Sequence, residues 1–315
     1  MPFNLCQLGF TLLLLVTSSM AFASDDYCNK NPSDCAVEGK WEFGLGLGLG
    51  ARSNPLVDGD AIPLVVVPQI SYYGKTFFIN NLDVGFTLLD KPKHMVNVIA
   101  TPGFDQVFFN RTDLQNFFLP IDGGSIGNVG VVIPSVEPGG DAAVDAPELD
   151  SNGEPPIADD SDMGAVDGEP PSEVELPDRT RRVTYLSGVE WLYQGKALTL
   201  QLSYLQEITN RHQGGESRFA IAWPLGSPNN AWNISAGGTW KSEELVTYHY
   251  GEPGLLELDS AINPFVKVSY SRPIGEKWSF RALAHYELLD TAIVESPIVD
   301  EDEVVTFFAG FFYKF

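Results

Sequence analysis

The residues most able to do chemistry are few. There are four histidines, His94, His212, His249 and His285, and an imidazole can serve as base, proton shuttle or metal ligand. The richest local grouping is in Trp278–Leu288, where Ser279, Arg281, His285 and Glu287 alternate with apolar residues. A serine and a histidine together suggest a nucleophile with its base. In an extended chain, however, Ser279 and His285 are six residues and roughly 20 Å apart, so they cannot touch. The spacings H-x-x-E-H, H-E-x-x-H and G-x-S-x-G and the phosphate-loop pattern do not occur. Asp159-Asp160-Ser161-Asp162 resembles the start of a calcium loop. That loop needs Gly at its sixth position and Glu at its twelfth, and counting from Asp160 these are Ala165 and Pro171. No catalytic, metal or cofactor site is therefore expected. Glu42, Glu190, Lys267, Arg281, His285 and Glu287 read as one structural network of charges. His249, in Tyr248-His249-Tyr250, reads as a loop anchor in preference to a ligand contact.

The elements that carry these residues show a strict period of two. In Trp41–Gly50, WEFGLGLGLG, Trp41, Phe43, Leu45, Leu47 and Leu49 alternate with Glu42 and four glycines. Leu198, Leu200, Leu202 and Tyr204 alternate with Thr199, Gln201 and Ser203. Similar ten-residue patterns occupy Ala231–Trp240, Ile262–Ser271 and Trp278–Leu288. The chain ends on Val305, Phe307, Ala309, Phe311, Tyr313 and Phe315. Alternation of this kind makes half-buried strands, and none of these segments has a helical period.

A soluble sandwich would turn the apolar face inward, whereas a membrane barrel turns it to lipid. Three features favour the barrel. The strands approach the 9–11 residues that cross a bilayer when tilted. Tryptophans and tyrosines gather at strand ends, where interfacial girdles form. The other face is rich in small residues suited to a crowded lumen. The expectation is an all-β transmembrane antiparallel barrel of about twelve strands, with ten as the alternative. The strands fall near 40–51, 61–73, 75–89, 93–101, 104–118, 182–193, 196–206, 215–225, 230–247, 261–273, 276–289 and 303–315. An even count puts both termini in the periplasm. Gly74, Gly103, Gly195, Ser227–Asn229 and Arg272–Glu276 then make short periplasmic turns. Trp41 begins the first strand, which is expected to pair with the last. Its glycines leave lumen space and let the sheet curve.

The N-terminus reads as a secretory leader. Leu8–Val16 is apolar but too short to span a bilayer, and Ala21-Phe22-Ala23 is a cleavage pattern. This gives a leader over 1–23, an N-terminal periplasmic segment over 24–39 and a barrel over 40–315. Cys28 and Cys35 are candidates for one disulfide, which an exported chain permits. The net charge of -23 makes nucleic acid a poor partner. Fourteen of the 42 acids lie in Glu137–Asp178, which holds no Lys or Arg. The insert 119–181, and especially 134–177, therefore reads as a disordered, acidic extracellular loop.

In order and spacing these pieces resemble the MltA-interacting protein family, MipA/OmpV, of Gram-negative outer membranes. They are WEFGLGLGLG, then Ile62–Lys75 leading into Phe77-Phe78, Trp240, Tyr248–Gly251, Trp278 with Tyr286 and Leu288, Ser296–Val299 and the closing Phe311–Phe315. The family has a much shorter loop where this chain has Leu119–Arg181. The resemblance implies a non-catalytic barrel among outer-membrane lipids. It implies a scaffold for peptidoglycan enzymes, with a lytic transglycosylase and a peptidoglycan synthase as partners. A small porin-like channel or a surface adhesin is the alternative.

Overall fold

The structure, a computed structural model, describes residues 38–91, 93–109, 116–118, 181–195, 197–227 and 229–315. The expected leader over 1–23, Cys28, Cys35 and the stretch 134–177 expected as a disordered acidic loop lie outside the described residues. Twelve antiparallel strands close into a barrel. They are β1 Trp41–Arg52, β2 Ile62–Tyr73, β3 Phe77–Asn80, β4 Asp83–Lys91, β5 His94–Pro102, β6 Tyr185–Gln194, β7 Thr199–Glu207, β8 Gly215–Ser227, β9 Asn230–Lys241, β10 Ala261–Pro273, β11 Trp278–Leu288 and β12 Glu303–Lys314. Three short helices join them: α1 Gln106–Phe109, α2 Glu243–Tyr250 and α3 Thr291–Val294. No helix among the described residues is long and apolar enough to cross a membrane.

The first and last strands seal the barrel, from Gly44 opposite Lys314 to Arg52 opposite Thr306. The alternation faces the way a membrane barrel requires. Phe43, Leu47, Leu49, Phe307 and Phe311 are exposed, while Phe308 and Phe312 are 1% and 2% exposed. The glycines of β1 make room for those inward rings. A Cβ on Gly46 would stand 2.8 Å from Cδ1 of Phe312, and one on Gly48 would stand 2.6 Å from Cζ of Phe308. The Leu-Gly alternation is thus a lipid-facing row of leucines over a floor on which two phenyl rings lie.

Twelve strands form, ten of them in the expected segments, and two segments differ. The stretch 75–89 is two strands, because Asn81 takes a positive φ of 55° and turns the chain within it. Asparagine tolerates that conformation better than most residues. The stretch expected as a strand over 104–118 instead contains α1. The two differences cancel in the count and shift the connections between them. Gly103 lies at the end opposite the short turns at Gly74 and Gly195, and not among them. The expected strand 230–247 ends at Lys241, where Ser242 stands at the N-cap position of α2 and Glu243 and Glu244 occupy its first turn, complementing the helix dipole.

Candidate functional site

Two regions position the polar side chains: the barrel lumen, and a cap over the end that carries the long connections. Short turns mark the opposite end as periplasmic.

The six residues expected to share one network lie at three levels. At the periplasmic end Lys314 Nζ lies 2.9 Å from Glu42 Oε1, and the Arg281 guanidinium donates to Gln69 (3.1 Å) and Ser279 (3.2 Å). On the β5–β7 wall the Glu190 carboxylate accepts from Asn97 (3.0 Å) and Gln201 (2.6 Å). On β10 and β11, Lys267 stands opposite His285, the His285 ring lies 5.4 Å from that of Phe265, and Glu287 accepts from Asn263 at 3.0 Å. Of the six, Glu190, Lys267, His285 and Glu287 are buried, whereas Glu42 and Arg281 are partly exposed. A buried charge is tolerated only when paired or hydrogen-bonded, and the lumen supplies amides for that purpose.

The cap is an apolar cluster laid across the mouth. Val107 and Phe108 of α1, Val246 and Tyr250 of α2, Ile293 of α3 and Val299 meet there, all buried. Burial of this kind stabilises by roughly 2 kcal/mol per large side chain. Polar latches fix the three helices to the rim. The Asp105 carboxylate accepts from Lys241 at 2.5 Å and from the Tyr250 hydroxyl at 2.7 Å. Arg181 donates to the carbonyls of His249 (3.0 Å) and Gly251 (3.3 Å), and its guanidinium lies 5.3 Å from the ring centre of Phe109. Arg52 donates to Asn116 at 3.0 Å, Asn54 donates to the Phe108 carbonyl at 3.0 Å, and Ser296 donates to the Tyr250 carbonyl at 2.5 Å.

The electrostatics of the cap follow from these partners. Burial alone would raise Asp105, but the Lys241 ammonium, with His249 and the two hydrogen bonds, outweighs it and holds the carboxyl at about 2. Burial lowers His249 to about 4, the nearby Asp105 opposing only in part. Its Nδ1 lies 3.0 Å from the Leu245 carbonyl. A carbonyl only accepts, so the neutral ring carries its proton on Nδ1 and leaves Nε2 as an acceptor. His212 is the complement: its Nδ1 accepts from Gly214 N at 2.9 Å, so its proton sits on Nε2. The two rings are 5.8 Å apart between centres. Tyr248-His249-Tyr250 thus anchors the cap through α2. Sequence reasoning had no signal for Asp105, Arg181 or Lys241, whose roles depend on contacts between residues more than sixty positions apart. Among the described residues no group of three or more His, Cys, Asp or Glu could hold a metal ion.

The two ends differ in charge. Exposed residues at the short-turn end include Lys40, Lys75, Lys91, Lys93, Arg272 and Lys277, against Asp90 and Glu276. The cap end exposes Asp58, Glu243, Glu244, Glu257, Asp259 and Asp300–Asp302 among others, against Arg182 and Arg211.

Residues 43–315 match the family described as MltA-interacting protein MipA. The chain is 21% identical over 283 residues to "Putative outer membrane protein YiaT" of Escherichia coli (strain K12), covering 87% of this chain and 91% of that one. Among solved structures it is similar to the outer membrane protein OprD from Pseudomonas aeruginosa. That match is 9% identical, with a TM-score of 0.32, and covers 86% of this chain and 65% of that one. It is also similar to the CymD monoaromatic hydrocarbon channel, at 10% identity and a TM-score of 0.34, over 95% and 94% of the two chains.

Proposed function

The chain belongs to the MltA-interacting protein MipA family of outer-membrane barrels, and from that premise we propose that it is a non-catalytic scaffold for the enzymes that build and cut peptidoglycan. A lytic transglycosylase is the first expected partner and a peptidoglycan synthase the second. The observation that carries this reading is the cap. An apolar plug of three helices, latched by Asp105, Arg181 and Arg52, sits across one mouth. A barrel shut in this way does its work on a face.

The face turned to the cell wall is the short-turn end, and it is basic. Lys75, the pair Lys91 and Lys93, and Lys277 stand on three different turns, so a partner with an acidic surface meets several at once. Charge complementarity of this kind steers encounter and selects partners more than it tightens binding. The buried lumen charges are read as the internal support of the barrel, and no reaction is assigned to them. The cleaved leader and a Cys28–Cys35 disulfide belong to the same reading of an exported chain.

The test is affinity capture. The folded barrel is immobilised, exposed to an envelope extract and eluted for mass spectrometry. Enrichment of a lytic transglycosylase over an unrelated barrel of similar size is the expected result. Recovery of no murein enzyme counts against the scaffold. The second reading, a small solute channel, requires the cap to leave the mouth. Stepwise conductance in planar bilayers would favour it.

A further inference from the structure

At the short-turn end, three neighbouring strands bring cations and aromatic rings together on the lipid side of the wall. On β5, Asn97 and Thr101 are buried, so His94, Val96 and Val98 face out. On β6, Glu190 and Leu192 are buried, so Val189, Trp191 and Tyr193 face out. Lys91 at the end of β4 stands opposite His94, and His94 stands opposite Tyr193. Directly opposed residues share a face of a sheet, so this row looks outward. The next outward row towards the membrane centre is Leu89, Val96, Trp191 and Leu202. Lys93 lies in the turn between β4 and β5.

The rings form one surface. The His94 ring centre is 5.9 Å from that of Trp191, with the planes 23° apart, and 5.2 Å from that of Tyr193. Lys91, Lys93 and His94 are exposed, as are Leu89, Val189 and Leu202 beyond them. Neither lysine enters a salt bridge among the described residues. Asp90 stands opposite Met95, on the other face of the sheet. The rest of the belt is built differently. Trp41 packs on Tyr72, and Trp232 on Tyr270, with no cation in their outward rows. Lys277 is committed to a ring, its Nζ 5.5 Å from the centre of Tyr313.

Trp and Tyr rings settle at the level of lipid headgroups, and lysines there attract anionic lipid. We propose that Lys91, Lys93 and His94, beside the Trp191 and Tyr193 rings, hold the phosphate of one anionic phospholipid from the leaflet at the short-turn end. Its acyl chains lie along the outward row of Leu89 and Leu202. Both ammonium groups match the phosphate charge, and even a neutral imidazole has one N–H to donate. The site is on the surface, so the lipid reaches it by diffusion in the leaflet. It is independent of the scaffold reading, because it faces the membrane and its test contains no partner protein.

The test is tryptophan quenching of the folded full chain in phosphatidylcholine nanodiscs. A minor fraction of the lipid is replaced by brominated phosphatidylglycerol or, in matched samples, by brominated phosphatidylcholine. The part of the quenching that Trp191→Phe removes reports this site. That part is expected to be larger with phosphatidylglycerol, to saturate and to be relieved by unlabelled phosphatidylglycerol. Lys91→Gln with Lys93→Gln is expected to weaken it about twentyfold, each charge being worth about fivefold. Arg272→Gln with Lys277→Gln, on another turn, should leave it unchanged. Equal quenching by the two brominated lipids overturns the proposal, since the rings then only touch bulk lipid. So does an excess that survives loss of both Lys91 and Lys93. Relief by glycerol phosphate as effective as that by unlabelled phosphatidylglycerol would assign the site to a free phosphate, and overturns the lipid as its ligand.

Discussion

The ring of Phe312 lies in the space that a side chain on Gly46 would need, its Cδ1 2.8 Å from the position of a Cβ. The two residues stand opposite each other across the seam that closes the barrel. Any Cβ there must displace the ring from the cluster it shares with Phe308 and Leu64. Gly46→Val is therefore expected to destabilise the folded barrel by about 1–3 kcal/mol, the usual cost of overpacking. The check is heat-modifiable gel migration, in which a smaller fraction of the variant should run as the compact form. Phe312→Ala in the same chain should restore much of it.

Much of this seam was legible in the sequence. Period-two alternation over ten residues reads as a strand, and apolar residues on one face of strand after strand, with aromatic residues at the strand ends, suggest lipid outside. What could not be read was the second set of apolar residues inside. Phe308 and Phe312 are neighbours of Phe307 and Phe311 in sequence, and alternation assigns only one of each pair to lipid. The split of 75–89 was hidden because Asn81 is a single permissive residue in an otherwise strand-like run. The cap was hidden because α1 and α3 are one turn each, too short to show a period, and its latches join residues distant in sequence.

The Asp105–Lys241 pair should matter most within the cap. Both side chains are buried, and removing one partner of a buried pair costs about 3–5 kcal/mol because the other charge is stranded. Asp105→Asn is expected to lower the thermal midpoint markedly. Asp105→Asn with Lys241→Met should recover most of the loss, since the stranded ammonium is then gone. Thermal unfolding followed by circular dichroism checks both.

Acid should loosen the cap. His249 is held at about 4 in the fold, below the 6.5 of a free histidine. A depressed value means that the unfolded state binds more protons between the two, so stability is full above about 6.5 and falls as the pH drops through 4. Asp105, at about 2 against an ordinary 3.8, adds a second loss on the same side at lower pH. Hydrogen exchange of α2 amides should be slow at pH 7 and faster at pH 4 than intrinsic exchange chemistry accounts for. His249→Gln, which cannot titrate, should flatten this change.

The basic short-turn end should govern partner capture without supporting the fold. Lys75, Lys91 and Lys277 are exposed, and surface substitutions away from packing features usually change stability by less than about 0.5 kcal/mol. Changing all three to glutamate is expected to leave heat-modifiable migration intact. It should also reduce recovery of murein enzymes from an envelope extract severalfold, with the loss greatest at low salt, where charge steering is strongest.

A barrel shut at its mouth and working through a face passes no current. Planar-bilayer recording of the folded chain at neutral pH tests it most directly. The cap held by Asp105, Arg181 and Arg52 predicts a quiet membrane, with steps appearing only when the latches are cut. Steady stepwise conductance from the unaltered chain at neutral pH would contradict it.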